Sequence, residues 1–243
     1  MAKTAEYWYN LYQQSQQVNL QNTQVEYLEV NHELNLPALV NISTAKWLPS
    51  PAKGVKRLVL EREGGEKVIR ATSIVAYAPN SKFSSHAHPK GEEFFVLSGT
   101  FSDEYGDYPA GTYVRNPPGS EHKPFSREGC LIWVKLQQFD PLDKQHIVID
   151  IDKKISNSDN ENKSQYLLFS HNEQVEMITT NRDVALPVRW LDKGLEILVI
   201  AGEVAIDNIK YQQGQWLRLP ANGGHSLMAL QNSKLLIKHG HLA

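Results

Sequence analysis

Landmark residues of this chain recur at one constant offset. Gly99 and Gly202, Gly111 and Gly214, Pro117 and Pro220, and His122 and His225 are each 103 residues apart. The neighbouring residues correspond as well: VLSG at 96–99 answers VIAG at 199–202, and YVRNPP at 113–118 answers WLRLPA at 216–221. Self-similarity at a fixed offset marks a repeated structural unit, so the chain is expected to contain two similar domains in tandem. From Val25 onward, short segments rich in Val, Ile, Leu, Tyr and Phe alternate with turn signals such as Pro79-Asn80, Pro109-Ala110-Gly111 and Asn222-Gly223-Gly224. Many short strands at such spacing make a β sandwich or barrel.

The first half also carries His86, His88, Glu92 and His122. On a strand, residues two apart share a face, so His86 and His88 can present their imidazoles to one cavity while Ala87 faces away. Pro89-Lys90-Gly91 reads as a tight turn that returns the Glu92 carboxylate toward the two histidines. Three candidate ligands would then come from one hairpin, and His122, following Gly111, Pro117 and Gly119, from a second hairpin laid against it. Three imidazoles and a carboxylate suit zinc, iron, manganese, nickel or copper. Glu93 is the other candidate carboxylate, and the distance to Gly99 favours Glu92. His239 and His241 repeat the His-x-His spacing with no Glu after them, and read as an exposed tail.

The string Gly-x5-Pro-x-Gly-x2-His, from Gly111 to His122, resembles the second motif of the cupin superfamily, and HAHPKGEEFFVLSG at 86–99 resembles its first. The whole stretch 71–126 is similar to the cupin domain of ChrR-type anti-sigma factors and their stand-alone relatives, and WLPSP at 47–51 fits as well. This resemblance implies an all-β tandem cupin, two jelly-roll barrels of the double-stranded β-helix type. It makes His86, His88, Glu92 and His122 the ligands of one divalent metal ion, zinc in those relatives, with iron, manganese, nickel or copper as other occupants. It implies a sensor or binding module that responds to a small molecule or an oxidant, with a metal-dependent enzyme of dioxygenase or isomerase type as the alternative. A homodimer is also expected. ChrR proteins carry an N-terminal helical domain, with its own histidine and cysteine zinc ligands, that grips the sigma factor. No such domain is expected ahead of this barrel, which counts against direct sigma-factor binding.

The same offset shows how the second half differs. Arg189 falls where His86 stands, Leu191 where His88 stands and Leu195 where Glu92 stands, so that only His225 remains. One imidazole does not hold a metal tightly, and the second barrel is expected to be structural or to bind something without metal, with His225 hydrogen-bonded in its mouth. Cys130 is the only cysteine, so there is no Cys-x2-Cys site, no internal disulfide and no redox pair. Within GCLIWVKL it reads as a small buried hydrophobe. Tyr105, Tyr108, Tyr113 and Arg115, with Trp133 and Lys135 on one face of a later strand, are candidates to shape a substrate pocket.

Net charge is −2 with a pI near 6.5, and no Lys/Arg stripe is present, which argues against nucleic-acid binding. The longest apolar stretch, Leu195 to Ile206, is too short and interrupted to span a bilayer, and MAKTAEYWYN lacks the apolar run of a secretion signal. A cytoplasmic protein with a small-molecule ligand and no membrane partner is expected. Residues 4–17 read as a helix, Thr4 its cap, with Ala5, Trp8, Tyr9 and Tyr12 forming a stripe that packs on a barrel or partner subunit. The glutamines of 13–24 suggest a flexible joint. The expected division is 1–24, N-terminal helix and linker; 25–140, metal-binding barrel; 141–165, linker, polar from Lys153 to Gln165; and 166–243, degenerate second barrel.

Overall fold

In a computed structural model the described residues are 2–20, 23, 28–65, 67–156, 163–186, 194–221 and 226–242. They fall into two compact units, one comprising Met1–His32 and Lys46–Asp152, the other Glu33–Ala45 and Lys153–Ala243.

The first unit opens with the helix Ala2–Gln17, slightly longer than the expected 4–17. Its sequence has no Gly or Pro inside, and its Ala, Leu and Gln residues lose little freedom in a helix. The buried stripe is Trp8, Leu11, Tyr12 and Ser15, at spacings of three and four, whereas Ala5 and Tyr9 are exposed. The expected stripe was thus rotated: Leu11 faces inward with Trp8 and Tyr12. The helix packs on the strands Glu92–Asp103 and Cys130–Leu136. Its end is held by Lys56, whose Nζ donates to the carbonyls of Ser15 at 2.6 Å and Val18 at 2.7 Å, groups that a helix terminus leaves without intrahelical partners.

The rest of the unit is an antiparallel barrel. Its main sheet places Ile147–Asp150, Thr112–Asn116, Glu92–Asp103, Cys130–Leu136, Arg70–Tyr77, Val55–Glu63 and Leu48–Pro49 side by side. His86–His88 pairs with Ser120–His122 in a separate two-stranded ribbon. Phe94, Val96, Phe101, Tyr108, Val114, Cys130, Ile132 and Val134 fill the interior. Each fully buried apolar side chain of this size contributes roughly 1.5–3 kcal/mol relative to exposure. Cys130 belongs to that core, fully buried, and burial pushes its thiol up to about 12, as expected of an inert hydrophobe.

The second unit repeats the plan. Its larger sheet runs Ala38–Asn41, Gln215–Leu219, Leu195–Ala201, Ser233–His239, Gln174–Thr180 and Lys163–Ser170, and its smaller one joins Ala185–Leu186, Leu227–Ala229, Glu203–Ile206 and Ile209–Gln212. The offset of 103 residues survives at atomic detail. Gly111 N–H donates to the Val96 carbonyl at 2.8 Å, and Gly214 N–H to the Val199 carbonyl at 3.0 Å. Both long strands slip register in the same place, at Leu97 and at Ile200. Gly99 and Gly202 follow those bulges with φ of 72° and 80°, and an added Cβ would lie 2.2 Å from the Gly129 oxygen and 2.3 Å from the Asn232 oxygen. Only glycine fits such a position.

The expected boundaries differ from this division at two segments. Residues 33–45, read as part of the first barrel, belong to the second unit, because Ala38–Asn41 pairs along Gln215–Leu219. The stretch read as a linker is structured at its start: Ile147–Asp150 pairs along Thr112–Asn116, and Ile151–Ser156 forms a short helix. The two edge strands are equivalent, Ile147 lying opposite Arg115 and Ala38 opposite Arg218. Arg189, Leu191, His225, the Asn222-Gly223-Gly224 turn and 157–162 lie outside the described residues. Among the described residues no helix is long and apolar enough to cross a membrane.

Candidate metal centre

The three candidate histidines come together in the first unit, with Glu92 beside two of them. The ligand nitrogens of His86, His88 and His122 all lie within 4.8 Å of one another. Glu92 Oε2 stands 3.6 Å from His88 Nε2 and 3.5 Å from His122 Nε2. Ala87, between the two histidines, is exposed, as strand alternation requires.

The backbone reaches this arrangement by a different route from the one the spacing suggested. His86–His88 does not form a hairpin with the strand that begins at Glu92. It pairs with Ser120–His122, so that His122 lies directly opposite His86. Pro89 and Lys90 do make the turn, closed by the Gly91 amide donating to the His88 carbonyl at 3.1 Å. That turn hands the chain from the ribbon to the main sheet. It is pinned from outside: Gln137 N–H donates to the Gly91 carbonyl at 2.9 Å, and Phe139 N–H to that of Lys90 at 3.1 Å. Gly91, at φ 78°, leaves room for the Phe139 ring, which a Cβ there would strike at 2.2 Å.

Three of the four groups are buried, His88 at 4%, Glu92 at 6% and His122 at 2% exposure, while His86 is partly open. Three of the four have a support that sets their orientation. A backbone carbonyl can only accept, so His86 Nδ1 donates to the Ser84 oxygen at 2.9 Å and its Nε2 carries the lone pair. Asn116 Nδ2 donates to Glu92 Oε2 at 3.1 Å. His122 Nδ1 meets Asp103 Oδ2 at 3.1 Å. Burial holds His88 below the usual imidazole range. For His122 burial acts in the same direction but is outweighed by the Asp103 hydrogen bond and the Glu92 charge, and its value is raised. Asp103 was not among the candidates, because nineteen residues separate it from His122 and only the fold brings the two together.

The donor set fits a divalent cation. His88 Nε2 and His122 Nε2 are buried side-chain atoms without a hydrogen-bond partner, a costly condition that coordination relieves. Neutral imidazole nitrogens and one carboxylate oxygen are ordinary ligands for such an ion.

The other candidates separate by face. Glu93, fully buried, points away from Glu92 through the alternation of one strand, and accepts from Tyr113 Oη at 2.6 Å. Arg115 and Lys135 are its cross-strand neighbours, so Tyr113, Arg115, Trp133 and Lys135 share the outer face and do not line the centre. Arg115 instead binds Asp143 at 2.8 Å and stacks on Phe139 at 3.5 Å, fixing the segment that pins the turn. Tyr108 faces inward and donates to Asp103 Oδ1 at 3.1 Å, while Tyr105 is 71% exposed. In the second unit, His239 and His241 are not an exposed tail. His239 ends a central strand, and His241 lies 3.0 Å from Glu196, both side chains being largely buried.

Comparison with known proteins places these observations. Residues 35–140 match the ChrR cupin-like domain family. No curated protein matches the chain by sequence. Among solved structures, the Escherichia coli pirin YhhW in complex with nickel(II) is similar over 84% of this chain and 98% of its own, at 13% identity and a TM-score of 0.66. A cupin 2 conserved barrel domain protein from Leptotrichia buccalis covers 87% and 99%, at 13% identity and a TM-score of 0.59. Bacillus subtilis oxalate decarboxylase, described with Mn(II) centres, covers 84% and 77%, at 13% identity and a TM-score of 0.55. At such identity the likeness shows the fold, an all-β tandem cupin with a short N-terminal helix.

Proposed function

From the match of residues 35–140 to the ChrR cupin-like domain family, we propose that the first barrel binds one divalent metal ion, zinc foremost, through His86, His88, Glu92 and His122. On this reading the chain is a sensor or binding module, and a small molecule or an oxidant alters the centre. The observation that carries it is the convergence of three imidazoles on one point, with His88 Nε2 and His122 Nε2 buried and without hydrogen-bond partners beside the Glu92 carboxylate. An ion held there would supply Lewis acidity toward a small ligand. The chain's own residues do the rest. Ser84 and Asp103 set the tautomers of His86 and His122, Asn116 restrains the carboxylate, and the apolar interior of Phe94, Phe101 and Val134 limits water.

A metal-dependent enzyme is the second reading. It is favoured by the partial exposure of His86, which leaves one side of the cluster accessible to a small substrate, whereas purely structural zinc sites are closed. Nickel and manganese in the pirin and the oxalate decarboxylase extend the choice of ion beyond zinc. The expected homodimer, cytoplasmic location and absence of nucleic-acid or sigma-factor partners accompany either reading as proposals.

The test is elemental mass spectrometry on protein purified without added metal or chelating resin. Near-stoichiometric zinc supports the sensor module, and iron, manganese, nickel or copper supports the enzyme. A protein that carries no metal and takes up none on titration with any of these ions overturns both.

A further inference from the structure

We propose that Asp103 is a positioning residue of this centre, fixing His122 in the tautomer that presents Nε2 to the metal; the inference rests on the metal-binding reading above. Asp103 ends the strand Glu92–Asp103, and its two carboxylate oxygens have separate tasks. Oδ1 is engaged by the chain around it: the Tyr105 amide at 2.9 Å, the Gly106 amide at 3.2 Å and Tyr108 Oη at 3.1 Å all donate to it. Oδ2 is left for His122 Nδ1, at 3.1 Å. A carboxylate only accepts, so Nδ1 carries the proton and the Nε2 lone pair is directed toward Glu92 and His88. Both side chains are over nine-tenths buried, which keeps competing water from the bond.

His86 is oriented by a neutral backbone carbonyl, whereas His122 is oriented by a charge. Asp103 therefore makes His122 the stronger donor of the two. The second barrel supplies an independent observation. The residue equivalent to Asp103 is Ile206, part of an apolar core, and the equivalent of Glu92 is Leu195. The carboxylate behind the histidine is present in the barrel that has the ligand carboxylate and absent from the one that lacks it.

Asp103 also caps its own turn, and Asp103→Asn separates the two roles. Asparagine keeps an oxygen for the Tyr105 and Gly106 amides, but its Nδ2 can only donate to His122, which drives the imidazole proton onto Nε2. The experiment has two parts. In metal-free wild type at alkaline pH, nitrogen NMR of the imidazoles is expected to show His122 protonated at Nδ1. In zinc competition against a chromophoric chelator, Asp103→Asn is expected to bind about 10- to 100-fold more weakly than wild type, with the metal-free melting temperature little changed. Wild-type His122 protonated at Nε2, or equal zinc affinity in the variant, overturns the positioning role while leaving the metal site intact. Failure of the wild type itself to compete for zinc overturns the metal reading, and the inference with it.

Discussion

The two barrels share a row of apolar interior positions and differ at the polar positions of the candidate site. Phe94, Val96, Phe101, Tyr108, Val114, Ile132 and Val134 in the first correspond, at 103 residues, to Ile197, Val199, Val204, Tyr211, Leu217, Leu235 and Ile237 in the second. Glu92, Asp103 and Asn116, which hold or support the candidate ligands, correspond to Leu195, Ile206 and Leu219, which belong to or pack against the second core. The framework thus does not depend on the polar site. Apolar faces and glycine bulges build the barrel, and a small set of buried polar side chains at one end makes it chemically distinct. Such groups are costly to bury, so they persist where hydrogen bonds and a ligand compensate them.

This comparison can be broken most forcefully in the shared core. Phe94→Ala is expected to cost about 3–5 kcal/mol and its counterpart Ile197→Ala about 2–5 kcal/mol, because both side chains are fully buried and leave cavities. Chemical denaturation checks this, and a negligible cost in either barrel would show that the two interiors are not equivalent. Next in size is the effect on the metal. His86→Ala combined with His88→Ala should abolish stoichiometric metal and leave a folded β protein, read by elemental analysis and circular dichroism. Full metal retention would remove the centre from this position.

A gentler change converts the first barrel toward the second. Glu92→Leu with Asn116→Leu exchanges a hydrogen-bonded buried pair for the residues found at 195 and 219. Metal affinity should fall, whereas the metal-free protein should be as stable as wild type or more so, by roughly 1 kcal/mol or more. A marked loss of metal-free stability would mean that the pair holds the barrel itself. The smallest effect is expected from His225→Ala, which should leave metal content unchanged, since Leu195 stands where the ligand carboxylate would be. Loss of metal there would refute the alignment of the repeat.

Much of this was legible in the chain because it depends on near neighbours. Alternation along a strand puts His86 and His88 on one face. The constant offset pairs Gly99 with Gly202 and Gly111 with Gly214. What was not legible depends on which strands meet. His86–His88 pairs with the strand that carries His122, not with the one that carries Glu92. Arg115, Tyr113, Trp133 and Lys135 fall on the outer face because Glu93, opposite Arg115 and Lys135, alternates with Glu92. A register differing by one residue would have reversed this. The helix stripe shifted for a related reason, since periodicity gives a face but its centre is set by the surface it covers.

The sequence by itself determined a duplicated all-β chain with glycines repeated at one offset, and a histidine cluster in the first half able to hold a divalent ion. These follow from side-chain period, backbone sterics and ligand chemistry, all of which act within a few residues. The tertiary structure alone decided that Ala38–Asn41 completes the second unit while Ile147–Asp150 edges the first, and that Asp103 stands behind His122. Such choices are made among strand edges and buried partners far apart in the chain, where pairing energy over the whole fold outweighs local preference.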